Sequence, residues 1–231
     1  MQYLGGKHAI AKDVASFLES VRPEGAPFYD ACCGGLSITA AMSGERVAND
    51  ACEPLIELYR AWLQGWRPPT HVDEAEYHRV KQLADPTDPL TAFVGFGCSF
   101  GAKYFGGYAR DRQHGRNYAA VAERNLQRKL AHCSDVRFEC CDFEALEIPD
   151  GALVYLDAPF RNTTPYGYFA SFDHDRFDAW ALALSRRAVV VRSEYVCPEP
   201  WREVASFYVW KSRLKGRQTE RLFQVEGGYR G

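Results

Sequence analysis

The sequence lacks several features that would place it in a special class of protein. It contains no apolar run of transmembrane length, and its first residues lack the apolar core of a secretory signal peptide. Positive charge is not in excess, because 28 Lys and Arg residues are opposed by 30 Asp and Glu residues. These absences predict a cytoplasmic protein with no membrane partner. Any contact with nucleic acid must then rest on local positive charge.

Metal-binding and disulfide patterns are also missing, although the chain contains eight cysteines. No Cys-x-x-Cys pair occurs, and no group of cysteines and histidines has the spacing of a zinc site. Cys32-Cys33 and Cys140-Cys141 are adjacent pairs, which make a poor disulfide framework. We therefore expect reduced cysteines that pack as small apolar residues, and no metal.

What the sequence does contain is the alternation of elements that is typical of an α/β fold. Its 231 residues are 46% hydrophobic, enough to form the core of one elaborated domain. Apolar runs predict strands at 28–30, 46–48, 136–140, 152–156, 188–191, 204–210 and 221–225. Amphipathic patterns predict helices at 7–20, 36–42, 53–66 and 175–184. This alternation favours a doubly wound, mostly parallel sheet, into which the mainly helical segment 70–134 is inserted.

Two loops that follow predicted strands are typical of a nucleotide-like site. The first strand runs into a glycine-rich turn at 31–35, where the backbone can approach a ligand closely. The GxGxxG spacing of a dinucleotide site is absent, so the turn alone is equally consistent with a structural role. Asp50 follows the second strand, where a carboxylate can bind ribose hydroxyls or can cap the next helix. Together with the glycine-rich turn, Asp50 favours ribose binding.

A third loop, Asp157-Ala158-Pro159-Phe160, follows the predicted strand at 152–156 and suits chemistry on an amine. The exocyclic amine of adenine is a poor nucleophile because its lone pair is delocalised into the ring. The Asp157 carboxylate and the Ala158 carbonyl can accept its two N–H bonds and favour the nucleophilic form. The Phe160 ring can stack on a base flipped out of a duplex. By itself, however, the tetrapeptide is more typical of a tight turn after a buried strand.

With these segments in place, the sequence resembles the Dam-type DNA adenine-N6 methyltransferases, especially their small phage and prophage members. The resemblance covers nearly the whole chain and depends on the shared order of several short segments. These segments are residues 3–7, 28–37, 48–50 with Glu53-Pro54, 97–110, 157–160, Thr163-Thr164, 172–177 and 193–195.

The resemblance implies a Rossmann-like S-adenosylmethionine-dependent methyltransferase sheet with an inserted, mainly helical DNA-recognition region. The catalytic domain would comprise residues 1–55 and 135–231, and the inserted region residues 56–134. The implied activity is site-specific methyl transfer to adenine N6 in double-stranded DNA by base flipping, as in DNA methylation or restriction-modification. The implied catalytic residues are Asp157, Ala158, Pro159 and Phe160. The implied cofactor-binding residues are Tyr3, Lys7, Asp30, Cys32, Gly34, Asp50, Asp142 and Asp157. We expect a monomer or a weak dimer.

One position departs from the pattern of that family, whose tetrapeptide is Asp-Pro-Pro followed by an aromatic residue. Ala158 stands at the second position, so φ is less restrained, although Pro159 still favours an extended backbone there. The expected cost is about 0.4–1 kcal/mol of preorganisation. Two alternatives therefore stay open: a weakened homologue that binds cofactor and DNA, or a related enzyme that acts on RNA or transfers another group.

Local positive charge is concentrated in the basic segment, residues 97–129, which contains seven basic and two acidic residues with tyrosines and phenylalanines between them. Basic side chains can neutralise phosphates, and arginines in a loop can read guanine edges. The predicted DNA-binding residues are Lys103, Tyr104, Arg110, Arg112 and Arg116. For 124–129, a solvated helix face is also a credible interpretation. A second basic run, at 211–221, is either a DNA-backbone contact or an exposed hairpin.

Overall fold

The computed structural model describes residues 6–111, 115–161, 168, 171–211 and 216–230, without the side chains of residues 209–211 and 216–218. Its strands are β1 (Phe28–Asp30), β2 (Arg46–Asn49), β3 (Arg137–Glu139), β4 (Leu153–Leu156), β5 (Val189–Glu194), β6 (Trp201–Lys211) and β7 (Gly216–Val225). Its α-helices are α1 (Ala11–Ser20), α2 (Glu53–Leu63), α3 (Glu74–Leu83), α4 (Pro89–Ala92), α5 (Tyr118–Leu130) and α6 (His174–Leu184). Short helical turns occur at Thr39–Ala41, Phe93–Gly97, Phe100–Ala102 and Phe143–Ala145.

All seven of these strands belong to one sheet, in the order β3-β2-β1-β4-β5-β7-β6. The first five are parallel, whereas β7 runs antiparallel to both β5 and β6. The chain moves outward from β1 to β3 and then returns to β4 on the other side of β1. The strand order therefore reverses between β1 and β4, which is where open α/β sheets bind ligands. This mixed α/β architecture confirms the predicted class and is compatible with a Rossmann-like fold.

The central strands are buried on both faces, as expected for a parallel sheet covered by helices. Alternate residues of β1 point to opposite faces: Phe28 packs in the cluster that contains α1, and Tyr29 packs in the cluster that contains α6. A third cluster covers the α1 side around β2 and β3 and includes apolar residues of α2, α3 and α5. The protein thus has three layers, with the sheet in the middle.

Several predicted boundaries are wrong, and one correction matters for the site. The segment 36–42 is not a helix; it contains only the turn Thr39–Ala41. Leu36 has a φ of 58°, a left-handed value that interrupts helical geometry at the first predicted residue. Similarly, α1 begins at Ala11 rather than Lys7, so Lys7 lies in the approach to the helix. Strand β5 continues to Glu194, three residues beyond its predicted end, and buries Arg192, Ser193 and Glu194.

The crossover between β2 and β3 contains the segment that the sequence predicted as an insertion. It holds α2, α3, α4 and α5, and an irregular stretch separates α4 from α5, as predicted for 95–118. Asp73 and Asn117 cap α3 and α5 by accepting a hydrogen bond from a backbone N–H in the first turn. The domain division at 55–56 and 134–135 stays a prediction. Among the described residues, no helix is both long enough and apolar enough to cross a membrane.

A candidate cofactor and substrate cleft

A deep cleft opens at the carboxyl edge of the sheet, above the point where the strand order reverses. Its empty volume, including the open mouth, is about 1120 Å³. Acidic residues at the ends of three parallel strands meet there: Asp30 ends β1, Asp50 follows β2 and Asp157 follows β4. The cleft is thus large enough for a small organic ligand and is rich in hydrogen-bond acceptors.

The glycine-rich turn forms one wall of the cleft and is held by hydrogen bonds from three directions. Asp50 accepts from the N–H of Gly34 at 2.9 Å, and Tyr59 donates to the Gly34 carbonyl at 2.6 Å. Gly34 itself has a φ of 42°, a left-handed conformation that glycine adopts without a steric cost. Asn49 donates to the carbonyls of Ala31 and Cys141 at 3.1 and 3.0 Å, which ties the loops after β1 and β3 together. The wall is therefore preformed.

Asp50 keeps acceptor capacity for a ligand even though both of its oxygens are engaged. One oxygen accepts from Gly34 and the other from the N–H of Cys52 at 2.9 Å, and each carboxylate oxygen has a second lone pair. Burial raises the pKa of Asp50, although the two N–H groups oppose this change. Asp50 thus lines the cleft and fixes the loop before α2; the N-cap of that helix is Cys52, without a side-chain hydrogen bond, so the alternative that Asp50 caps the helix is wrong.

Asp30, in the floor of the cleft, has one carboxylate oxygen that forms no hydrogen bond with a described residue. Its Oδ2 accepts from the Thr39 hydroxyl at 2.6 Å, whereas its buried Oδ1 has no hydrogen-bond partner among the described residues. Burial, together with the charges of Asp157 and Asp50, raises the pKa of Asp30 to about 7 against the opposing effect of the Thr39 hydrogen bond. A buried acceptor without a partner is costly, so a ligand that donates to it gains affinity.

We expect Asp30→Asn to stabilise the protein at alkaline pH. The Asp30 carboxyl has an ordinary pKa of 3.8 but about 7 in the folded protein. Between these values the folded state binds more protons, so the free energy of unfolding falls as pH rises through this window. Asparagine removes that fall and should raise the free energy of unfolding by roughly 1–4 kcal/mol near pH 8. Urea unfolding as a function of pH measures it, and parallel pH dependences in both proteins would contradict it.

Asp157 lies beside a buried cation that it shares with another carboxylate. Lys7 Nζ is 2.8 Å from Asp157 Oδ1 and 3.1 Å from Glu220 Oε1, and the Ser193 hydroxyl forms a further hydrogen bond with Glu220. Burial alone would lower the pKa of Lys7, but the two carboxylates outweigh it and raise that pKa above its ordinary value of 10.5. Lys7 therefore stays protonated between the two carboxyl groups.

The same neighbours change the pKa of Asp157. Burial raises its pKa to about 6; Lys7 opposes the rise and Glu220 adds to it. Asp157 is thus ionised at neutral pH but close to its titration range. Its Oδ2 forms no hydrogen bond with a described residue, and the side chain is 19% exposed where it lines the cleft.

The other residues of the tetrapeptide are packed around Asp157. Pro159 lines the cleft, whereas Ala158 and Phe160 are each only 6% exposed. The ring centre of Phe160 lies 4.5 Å from Lys7 Nζ. It also lies 4.7 Å from the ring centre of Tyr195, and the two rings meet edge to face. Glu194 accepts hydrogen bonds from the N–H groups of Tyr195 and Arg161, at 2.8 and 3.3 Å. Glu194 therefore holds the backbone immediately after the tetrapeptide, which is a structural role.

An aromatic and charged wall closes the far side of the cleft. Asp142 forms an ion pair with Arg176, whose Nε is 2.8 Å from Glu144 Oε2 and whose guanidinium lies 4.5 Å from the Phe143 ring centre. Burial would raise the pKa of Asp142, but Arg176 and the N–H of Glu144 outweigh it and hold that pKa below its ordinary value. Phe143 and Phe172 also line this wall, where their rings can pack against a flat ligand.

The structure brings most of the predicted cofactor residues to one cleft. Tyr3 lies outside the described residues. The cleft lining includes Lys7, Asp30, Cys32, Gly34, Asp50, Asp142 and Asp157. Burial raises the pKa of Cys32 and Cys33 well above their ordinary value, so these thiols stay protonated and act as packing groups. In the described part of the chain, no group of three or more His, Cys, Asp and Glu side chains is arranged to hold a metal ion.

The predicted DNA-binding residues lie on the β2–β3 crossover, and Arg112 lies outside the described residues. Lys103 is exposed, and Arg110 and Arg116 are about half exposed. Arg110 pairs with Glu74, and Arg116 Nε is 4.0 Å from Asp111 Oδ2. These acidic neighbours reduce the local positive charge that the sequence suggested. A DNA phosphate would have to compete with them.

The aromatic residues of the basic segment differ in exposure. Tyr104 is half-buried and packs on Phe96 and Phe105, with ring centres 4.8 and 4.7 Å apart. Its ring fits there because Gly95 has no side chain; a Cβ at that position would lie 2.6 Å from a carbon of the Tyr104 ring. Phe100, by contrast, is 68% exposed in the turn Phe100–Ala102. The sequence pattern did not single out Phe100, because aromatic content alone does not show which ring projects.

Other contributors to the cleft were also missed by the sequence prediction. They are Thr39, which binds Asp30; Asn49, which connects the loops; Glu220, which pairs with Lys7; Ser193, which binds Glu220; and Arg176, which pairs with Asp142. No protein-family model matches this sequence. The fit to a cofactor therefore rests on the donors and acceptors of the cleft. Acceptors at Asp30 and Asp50, a preformed glycine turn and an aromatic wall suit the amino, ribose and adenine groups of S-adenosylmethionine.

Proposed function

We propose that this protein transfers a methyl group from S-adenosylmethionine to the N6 amine of adenine in double-stranded DNA. The observation that carries the proposal is the position of Asp157. Its carboxylate has one oxygen on Lys7 and one available to a ligand, in the same cleft as Asp30 and Asp50. The carboxylate that would bind the amine and the acceptors that would bind the cofactor therefore share one cavity.

When bound, S-adenosylmethionine supplies an electrophilic methyl group on sulfur. Asp157 and the Ala158 carbonyl accept the two N–H bonds of the adenine amine and favour its pyramidal, nucleophilic form. As the new N–C bond forms and the C–S bond breaks, the amine loses a proton. Asp157, whose pKa is about 6, is suited to accept it near neutral pH. Lys7 holds the Asp157 carboxylate, and Glu194 holds the backbone N–H of Arg161 immediately after the tetrapeptide.

A transfer assay tests the proposal directly. Incubation with S-adenosylmethionine carrying a tritiated methyl group should transfer radioactivity to unmethylated DNA, and mass spectrometry of the nucleosides should show N6-methyladenine. Label in RNA alone, or a different modified nucleoside, would support the related-enzyme alternative. Binding of cofactor and DNA without any transfer would support the weakened homologue that Ala158 suggests.

We expect Ala158→Pro to raise the methylation rate. Ala158 is buried and precedes Pro159, so it is already restrained toward an extended backbone. A proline ring would restrain φ further, and a gain of about 0.4–1 kcal/mol corresponds to a rate increase of about 2- to 5-fold. Single-turnover methyl transfer measures the change. A lower rate in a variant with unchanged cofactor affinity would show that preorganisation is not what the family pattern supplies here.

A further inference from the structure

The basic segment reaches back into the wall of the cofactor cleft through one lysine. Lys129, in the last turn of α5, donates hydrogen bonds to the Gly35 carbonyl and to the Ser37 hydroxyl, the latter at 3.2 Å. Gly35 and Ser37 both line the cleft. Burial lowers the pKa of Lys129 to about 8, so the amine is still mostly protonated at neutral pH. A residue of the predicted DNA-recognition region thus fixes the backbone that faces the cofactor.

Packing reinforces this tie. Leu36, between the two partners of Lys129, is fully buried in the cluster that also contains Leu126 and Leu130 of α5. Tyr104 and Phe105, from the aromatic part of the basic segment, pack against the same cluster. The glycine-rich turn, α5 and the aromatic part of the basic segment therefore share one hydrophobic core. Closely packed protein interiors transmit small shifts rather than absorbing them.

The amino end of α5 directly follows the predicted DNA-binding part of the basic segment, which ends at Arg116. Asn117 caps the helix by accepting from the N–H of Ala120 at 3.1 Å, and its amide donates to the Thr70 carbonyl at 2.8 Å. Arg116 precedes this cap and lies 6.0 Å from the ring centre of Tyr118, the first residue of α5. Any ligand that immobilises Arg116 therefore acts on the first turn of α5, while Lys129 acts at its last turn.

We propose that duplex DNA and the cofactor bind cooperatively, coupled by α5 and by the contact of Lys129 with Gly35 and Ser37. The inference rests on the proposed function, because it takes DNA and S-adenosylmethionine as the two ligands. DNA bound at Arg116 restrains α5, and the restrained Lys129 holds the cofactor turn in its binding conformation. The second ligand then has less conformational entropy to lose, which gives positive coupling. By linkage, the cofactor increases DNA affinity by the same factor.

Titration calorimetry tests this coupling with S-adenosylhomocysteine as the probe. The affinity of the protein for S-adenosylhomocysteine is measured without DNA and again with a saturating concentration of short unmethylated duplexes. Together these duplexes contain every tetranucleotide. For the unaltered protein we expect DNA to tighten binding about 5-fold or more. In Lys129→Met, the ratio of the affinity with DNA to the affinity without DNA should fall to about 1, since the methionine keeps the apolar stem but donates no hydrogen bond. Arg128→Met, on the exposed face of the same turn, is the matched control and should keep the ratio.

The outcomes separate the inference from the proposed function. If S-adenosylhomocysteine binds but the ratio equals one in the unaltered protein, or persists in Lys129→Met, the coupling is refuted and the proposed function stands. If the probe does not bind with or without DNA, both are refuted. Should Lys129→Met fail to fold, Ser37→Ala removes one of the two acceptors and should lower the ratio part of the way. An equal loss of affinity with and without DNA would identify Lys129 as merely structural.

Discussion

Replacing Asp157 by asparagine should reduce methyl transfer at least about 10²- to 10³-fold, the usual cost of removing a preorganised group that acts on the transition state. Asparagine has nearly the same shape, but its amide group has half the acceptor capacity and no negative charge. S-adenosylhomocysteine binding should remain measurable, because Asp30, Asp50 and the glycine turn still form their side of the cleft. The measurement is single-turnover transfer of a labelled methyl group, alongside calorimetry of the probe.

The pH dependence gives this prediction a second, independent readout. Asp157 must be ionised to accept the proton that the amine loses, and its pKa in the folded protein is about 6. The rate of the unaltered protein should therefore fall tenfold for each unit as the pH drops below about 6. The rate of Asp157→Asn should not show this fall at acidic pH.

A matched control lies at the opposite end of the same strand. Asp150 precedes β4 at its amino end, is 80% exposed and pairs with Arg187. Asp150→Asn should therefore leave both the rate and its pH dependence unchanged. Full activity of Asp157→Asn would refute the assignment of Asp157 as the acceptor of the amine.

The sequence was sufficient to predict those parts of the site that depend on the ends of strands. Asp30, Asp50 and Asp157 each terminate a run of buried residues, and carboxyl ends of parallel strands must meet at one edge. The acidic floor of the cleft could thus be anticipated before any coordinates. The glycines that follow the first strand predicted the turn itself, in which Gly34 has a left-handed φ beside Asp50.

Glu220 could not be predicted in this way, because its place depends on how β7 pairs with its neighbours. Strand β7 lies between β5 and β6, antiparallel to both, and its register sets Ser193 opposite Leu222 and Glu194 opposite Arg221. A slip of one residue would move every β7 side chain to the other face and remove Glu220 from Lys7. Long-range pairing, not local pattern, decides this contact.

The misassigned helix at 36–42 has a similar origin. Its composition suits a helix, yet Leu36 adopts a left-handed φ and Thr39 turns its hydroxyl toward Asp30. The buried core around Leu36 and the carboxylate of Asp30 together outweigh the local helical preference. Tertiary contacts at a ligand site are a common place for propensity to fail.

Replacing Lys7 by methionine should be the most destabilising of the substitutions considered, because it leaves two buried carboxylates without their cation. Lys7 is 8% exposed and contacts Asp157 and Glu220 at 2.8 and 3.1 Å. Removing one partner of a buried ion pair typically costs about 3–5 kcal/mol. Without Lys7, the folded-state pKa of Asp157 should rise further above its ordinary value of 3.8. The lost stability should therefore be largest at neutral and alkaline pH and should return as the solution is acidified.

Urea unfolding near pH 5 and near pH 8 measures the effect. The double variant Lys7→Met, Glu220→Gln removes one of the two stranded carboxylates, so it should be more stable than Lys7→Met alone at the higher pH. Lys12→Met, at an exposed position of α1, is the control for the loss of a lysine. In the same series, the acidic limb of the methylation rate should move to higher pH in Lys7→Met and move part of the way back in the double variant. If the double variant is no more stable than Lys7→Met, the two carboxylates do not share the lysine in the way that the contact distances indicate. Lys7 would then act on Asp157 alone, and Glu220 would have no part in tuning the residue that binds the amine.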